Sequence, residues 1–487
     1  MSVLDRERTV APAGYSRWLV PPAALAVHLS IGQAYALSVF NLPLTRIVGI
    51  DHSAPSDWSL SATIWMFNIA FFFLGASAAV FGTWVERSGP RKAMLASALC
   101  FSGGFFVAAL GVELHQLVLL YAGYGVLGGI GLGLGYISPV STLLKWFPDR
   151  PGMATGLAIM GFGGGAMVGA PLGVALMDRF RSATSAGVAE TFLAMGGIYL
   201  VIMSFGAVTV RVPPAAVAAT TTSGAPAPAS GTTARDAIRT GAFWCVWIVL
   251  FTNVTAGIGV LGQASPMIQE MFAMSPHAAA GFVGLLSLFN LVGRFVWSSL
   301  SDRLGRKKTY AVYLGLGMLL YALVPTTKTL GAAGLFVACT CVILSMYGGG
   351  FSTVPAYLRD LFGTREVGAI HGRLLTAWST AALVGPSLVT YVREAQVARG
   401  VAKSEAYSIT MYGLVALLAV GFVANLRVRI PAAERAGAAT RVAAAPEREL
   451  AARPPIARLA LYWAVAVIPL AWGVVQVVKK SAALFVR

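Results

Sequence analysis

Charge is scarce in this chain. Only 11% of its 487 residues are charged, against about 25% in a soluble domain. Acids are scarcest, 19 against 36 Lys and Arg, and none lies near the middle of an apolar run. A buried carboxylate, the usual proton carrier of pumps and symporters, is therefore missing. Cysteine is limited to Cys100, Cys245, Cys339 and Cys341. All four sit within apolar runs, without metal-ligand spacing and without an argument for a disulfide. No HExxH, GxSxG or Walker A pattern occurs, and Gly131-Leu-Gly133-Leu-Gly135 lies inside an apolar run rather than opening a βαβ unit. The sequence thus predicts no enzyme, no cofactor, no metal site and no nucleic-acid partner.

What is abundant is hydrophobic length: 57% of residues are hydrophobic and the mean hydropathy is +0.74. Twelve apolar runs, from 19–41 to 407–427, each approach the roughly 20 residues that cross a bilayer. A thirteenth lies near 457–478. The expected fold class is an all-α polytopic membrane protein. Its net charge of +17 gathers in alternate loops: Arg87–Lys92, Lys145–Arg150, Arg211–Arg239, Arg303–Lys308, Arg359–Arg373 and Arg427–Arg458. This bias predicts a cytoplasmic N-terminus. The thirteenth run conflicts with it, because Lys479, Lys480 and Arg487 would end outside. The helix either crosses despite them or lies along the interface. Pro213 to Ala234, rich in Pro, Ala, Thr and Ser, cannot bury a core and reads as a linker. The expected division is an N-terminal six-helix bundle (1–212), a cytoplasmic linker (213–238), a C-terminal six-helix bundle (239–428), a cytoplasmic segment (429–455) and an extra transmembrane helix (456–487).

The two halves echo each other. Glu86-Arg87-Ser-Gly89-Pro-Arg91-Lys92 follows the second run, and Asp302-Arg303-Leu-Gly305-Arg306-Lys307 follows the eighth. Pro139, Phe147, Gly156 and Pro171 are matched by Pro355, Phe362, Gly372 and Pro386. Repeated halves mark secondary transporters that bind near the midplane between the repeats. Glu86 and Asp302, beside Arg87 and Arg303, are candidate gating groups that would accept hydrogen bonds from a helix N-terminus in one conformation. Alternatively they form surface ion pairs of little worth. The glycines crowding runs four and five serve close helix packing, and smooth faces would also let helices slide.

Within Phe282–Trp297 (FVGLLSLFNLVGRFVW) stands one permanent charge, Arg294. Two readings are open: a functional cation facing a cavity, or an anchor snorkelling to the interface. His28 lies well inside the first run and is a possible proton site, or a hydrogen-bonded packing residue.

Several segments together resemble the major facilitator superfamily and, within it, the oxalate/formate antiporter (OFA) family, a relative of the monocarboxylate transporters. They are Tyr35–Pro43 (YALSVFNLP), Gly131–Pro139, Lys145–Gly156 (KWFPDRPGMATG), Arg239–Trp247 and Asn290–Arg306. The resemblance implies the major facilitator fold with pseudo-two-fold symmetry, and makes Arg294 the carboxylate-binding arginine. Tyr35, Tyr136 and Phe162 match aromatic cavity positions. Where the oxalate carrier has a lysine in its eleventh span, this chain has Trp378, so a second positive charge is missing. Arg373 is five positions earlier, more than a turn toward the cytoplasm. Where monocarboxylate relatives place an Asp four residues before the arginine, Asn290 stands here. The last segment resembles a small one-span subunit encoded beside some of these carriers, here fused. The function implied is alternating-access exchange of small organic anions, with a monocarboxylate of the formate, pyruvate or lactate type favoured over oxalate. A proton-coupled monocarboxylate symporter and a non-transporting sensor or assembly partner are the alternatives. The expected location is a bacterial inner membrane.

Overall fold

A computed structural model describes residues 4, 6–12, 14–50, 52–214, 231–274, 276–429 and 456–481. Most of the linker expected at 213–238 (215–230), most of the segment expected at 429–455 (430–455) and residues 482–487 with Arg487 lie outside the described residues.

The chain is a polytopic helical membrane protein of two six-helix bundles and one further helix. Its helices are α1 (Pro21–Ile31), α2 (Ser38–Leu44), α3 (Leu60–Ser88), α4 (Pro90–Glu113), α5 (Leu117–Trp146), α6 (Pro151–Phe180) and α7 (Val188–Thr209) in the first half. The second half holds α8 (Gly241–Phe272), α9 (Pro276–Leu304), α10 (Arg306–Thr329), α11 (Ala333–Phe362), α12 (Val367–Leu374), α13 (Thr376–Ala398) and α14 (Ser408–Arg427), and α15 (Ile456–Ser481) follows. Among the described residues, eleven helices are long and apolar enough to cross a membrane. The difference from the thirteen apolar runs has a physical origin. The first expected span is broken: after α1 it tightens into a 3-10 turn over Gly32–Ala36 and resumes as α2. At Gly32 the backbone is pressed onto α6, where a Cβ would lie 2.3 Å from the Phe162 carbonyl oxygen. The eleventh is split at Leu375 into α12 and α13, and the long piece ends in the polar sequence Arg393-Glu-Ala-Gln396.

The halves repeat each other in packing as well as in sequence. α4 packs on α7 as α10 packs on α14; α3 packs on α5 as α9 packs on α11; α1 packs on α6 as α8 packs on α13. The echoed loops share an unusual backbone, with Gly89 and Gly305 both at φ 86°, a conformation that side chains disfavour and glycine adopts freely. The bundles meet along two seams, α6 on α9 and α3 on α12 and α13. Small residues make both seams close. A Cβ on Gly156 would stand 2.0 Å from Ser298 Oγ, and one on Gly372 would stand 2.1 Å from the Ala78 carbonyl oxygen.

Helix α15 lies outside both bundles, against α1, α6 and α9. Ala466 packs with Leu25 and Leu29, Leu470 with Leu291, and Trp463 Nε1 donates to the Trp18 carbonyl at 3.2 Å. It therefore bridges both bundles along the α6–α9 seam.

At the end opposite the echoed loops, beyond the apolar stretch Gly241–Ala264, Glu270 ties α8 to α13. Its carboxylate accepts from Arg393 Nη2 and, at 3.0 Å, from Arg393 Nε, and from the Tyr407 hydroxyl at 2.6 Å. Burial raises its pKa, but these hydrogen bonds and the Arg393 charge outweigh that and hold it below the usual range. A depressed folded-state pKa gives stability that is present above the unfolded value and lost as pH falls through the folded one. Glu270→Gln is therefore expected to lower the melting temperature in detergent by a few degrees at pH 7. The gap between variant and parent should begin to narrow near the ordinary carboxylate value, about pH 4, and close only as pH falls below the depressed folded-state value.

Candidate functional site

Arg294 is fully buried, midway along α9. Gly163 on α6 and Gly348 on α11 leave room for its side chain, passing 3.1 Å from its Nε and Cγ respectively when a Cβ is built on each. Its Nε donates to Asn290 Oδ1, one turn earlier, at 3.1 Å. Its two terminal nitrogens make no well-formed hydrogen bond among the described residues, although the Tyr35 and Tyr136 hydroxyls lie near them. The guanidinium carbon lies 5.7 Å from the centre of the Phe162 ring and 5.2 Å from that of Phe351, within the range of a cation–π contact. The snorkelling reading does not describe this geometry: the side chain stays inside the protein.

Around it the two bundles contribute one aromatic box. Tyr35 meets Phe162 edge-on at 5.0 Å, and Tyr136 meets Phe162 at 5.4 Å. Trp378, fully buried, packs 5.3 Å from Tyr136, 5.4 Å from Phe162 and 4.4 Å from Phe351. The Tyr35 hydroxyl lies 3.2 Å from that of Tyr347. The Tyr136 hydroxyl and Trp378 Nε1 lack partners among the described residues. Arg294, Asn290, Tyr35, Tyr136, Phe162 and Trp378 are thus brought together. The buried guanidinium lies near the Tyr35 and Tyr136 hydroxyls, but its terminal nitrogens, the Tyr136 phenol and the Trp378 indole N–H make no well-formed hydrogen bond among the described residues. A buried unpaired donor is costly, and an acceptor-rich group placed there would offset that cost.

His28 lies beside the box, its ring 5.3 Å from Tyr136. Its Nδ1 faces the Ala158 carbonyl at 2.5 Å and its Nε2 the Tyr136 carbonyl at 3.1 Å. Sequence reasoning missed Phe351, Tyr347 and His371. Tyr136 lies three residues before Pro139, and the same step back from the matching Pro355 ends on Ser352, beside Phe351. His371 precedes Trp378 by seven positions, as His28 precedes Tyr35.

The two echoed acids occupy matching places at one end of the seams. Asp302 accepts from the main-chain N–H of Gly152 at 2.8 Å and of Met153 at 2.9 Å, the first turn of α6. Glu86 accepts from the N–H of Gly368 at 3.1 Å, the first turn of α12. Each acid therefore caps a helix of the other bundle, where exposed N–H groups and the helix dipole favour an anion. Their basic partners are Arg306, 2.5 Å from Asp302, and Lys145, 2.7 Å from Glu86. Arg87 and Arg303 are exposed and stand outside these ties. Asp302→Asn is expected to weaken the tie by roughly 1 kcal/mol, so that labelling of a cysteine placed at Met153 speeds up several-fold. Arg303→Gln should leave that rate unchanged.

Two repeated bundles that enclose a buried arginine in an aromatic box suit a membrane carrier. The chain belongs to the Major Facilitator Superfamily, whose sequence profile matches residues 11–386. It is similar to the oxalate:formate antiporter of Oxalobacter formigenes, 26% identical over 77% of this chain and 84% of that one. It is also similar to the apicoplast pyruvate carrier 1 of Toxoplasma gondii, 26% identical over 66% of this chain and 68% of the other. Among solved structures, the transporter FucP in its outward conformation superposes with a TM-score of 0.61 at 15% identity, over 85% of this chain and 100% of that one. That likeness concerns the fold.

Proposed function

We propose that this carrier exchanges small organic anions across a bacterial inner membrane, with a monocarboxylate such as formate, pyruvate or lactate as its substrate. The observation that carries the reading is the fully buried Arg294, whose terminal nitrogens make no well-formed hydrogen bond among the described residues. A carboxylate offers a planar pair of acceptors that fits a guanidinium fork. The single fixed cation in the box balances one negative charge, and the aromatic walls set its size. The two similar carriers named above, one for oxalate and formate and one for pyruvate, lend support.

Exchange follows from electrostatics. An unpaired buried cation makes the closed, empty carrier costly, and a bound anion offsets that charge, so the bundles close with substrate aboard. In this reading the positive-inside bias puts the Glu86 and Asp302 ties on the cytoplasmic side, and they hold that side shut.

The test is counterflow in proteoliposomes loaded with unlabelled formate, pyruvate, lactate or oxalate, following entry of the labelled partner. Uptake that requires an internal monocarboxylate is the expected result. Uptake driven by a proton gradient into anion-free vesicles would instead favour symport. Binding without counterflow would point to a sensor.

A further inference from the structure

His371 sits on α12, the short helix wedged between the bundles. Gly368 and Gly372 turn one face of α12 onto α3, with Gly372 against Ala78. The imidazole lies beside the aromatic box, its ring 5.8 Å from Tyr136. It is 1% exposed, and neither ring nitrogen has a hydrogen-bond partner among the described residues. His28, on the far side of Tyr136, differs: its two nitrogens face the Ala158 and Tyr136 carbonyls, of which a neutral ring can donate to one. A buried imidazole without hydrogen-bond partners is costly and calls for an explanation.

The fixed charges nearby are already engaged. Glu86 on α3 is held by Lys145 on α5 and by Gly368 N–H. Arg373, on α12 itself, donates to the Ala369 carbonyl at 3.0 Å and to Thr83 at 3.5 Å. Arg359 on α11 donates to the Pro148 carbonyl at 3.2 Å. Glu366, just before α12, accepts from Ala234 N–H at 2.8 Å, and in the short helix Ala234–Ala237 that packs there, Arg235 and Asp236 are exposed. Arg393 and Glu394 on α13 lie at its other end. Among the described residues, Arg294 is therefore the one fixed cation turned to the box. His371 and His28 are the titratable groups beside Tyr136.

Building on the anion-carrier reading, we propose that His371 is a proton-binding site that adds a second positive charge to the closed cavity. A dicarboxylate then crosses with one proton, and a monocarboxylate crosses with none. Two negative charges against Arg294 alone leave one uncompensated in a low-dielectric enclosure. Bound dianion and proton therefore strengthen each other's binding, as linkage requires. The proton comes from water on the side to which the cavity opens, rests on an imidazole nitrogen during closure, and returns to water with the substrate on the other side. A monocarboxylate already balances Arg294, and a protonated His371 would leave an excess positive charge.

The experiment measures counterflow of formate and of oxalate in proteoliposomes at pH 7.5 and pH 5.5 on both sides, for the parent, His371→Gln, His371→Asn and His28→Gln. The parent's oxalate exchange should rise toward 100-fold at the lower pH, about tenfold per pH unit for one bound proton. Its formate exchange should change less than twofold. His371→Gln and His371→Asn should keep formate exchange and lose the oxalate rise, while His28→Gln retains it. The proposal is overturned by an undiminished oxalate rise in both His371 variants, which would assign it to another group or to oxalate's own protonation. A pH-independent oxalate rate in the parent also overturns it, as does loss of formate exchange in both variants when fluorescence melting shows them folded. Absence of formate exchange in the parent would instead defeat the anion-carrier reading itself.

Discussion

Arg294→Ala is expected to cut counterflow of any accepted anion by at least about 100-fold, in protein that still inserts and purifies as the parent does. Truncating one partner of a buried, hydrogen-bonded charge pair costs about 2–5 kcal/mol, and each 1.4 kcal/mol is a factor of ten. Folding should survive. The guanidinium makes one side-chain hydrogen bond, to Asn290, and its removal takes an unpaired charge out of the protein interior. The variant should therefore be as stable as the parent or more so, since an uncompensated buried cation is destabilising. Arg294→Lys should also fail largely, because an ammonium is a point charge that cannot grip both carboxylate oxygens in one plane. A thermal shift on adding formate or pyruvate, present in the parent and absent in both variants, separates lost binding from lost movement. Full transport by Arg294→Ala would remove the anion-exchange reading.

Gly372→Val should be nearly as severe, for a different reason. A Cβ at this position would meet the Ala78 carbonyl oxygen at 2.1 Å and its carbon at 2.8 Å. Those are backbone atoms inside α3, which cannot swing aside as a side chain would. Overpacking costs about 1–3 kcal/mol, so Gly372→Ala should lower the closed population by roughly tenfold and valine by roughly 100-fold. The seam is closed in this structure and must part for the cavity to open on that side. The variant is thus expected to be biased toward the open form: labelling of a cysteine at Met153 should accelerate while exchange falls toward background. Unchanged labelling with lost exchange would show that the seam tolerates the extra methyl groups and that closure is controlled elsewhere.

Much of this architecture was legible from residue order because a bilayer leaves few alternatives. Apolar length gave the spans, and the paired loops at Gly89 and Gly305 gave the repeat, down to a shared backbone angle. Arg294 stood out because a permanent charge in an apolar run has to be accounted for. What stayed hidden depended on helix faces and tertiary contacts. Arg303 follows Asp302 directly and so suggests a pair, yet adjacent helical residues point in different directions. The acid pairs with Arg306, one turn on, while Glu86 finds Lys145 fifty-nine positions away. The breaks at Gly32–Ala36 and Leu375 follow from pressure between helices: Leu375 carries no helix-breaking signal, but its carbonyl faces Gly75 of α3. His371 lies near the start of its apolar run, where sequence alone suggests an interfacial residue. The split of that span carries it inward beside Tyr136.

The placement of α15 makes the two seams unequal toward the bilayer. One is roofed by a helix that touches both bundles; the other, between α3 and α12–α13, has no such cover among the described residues. Any rocking of one bundle on the other must slide α15 along a partner or carry it with one of them. Acyl chains can wedge only into the uncovered side. Changes in bilayer thickness or lateral pressure should then act on this carrier as a one-sided lever.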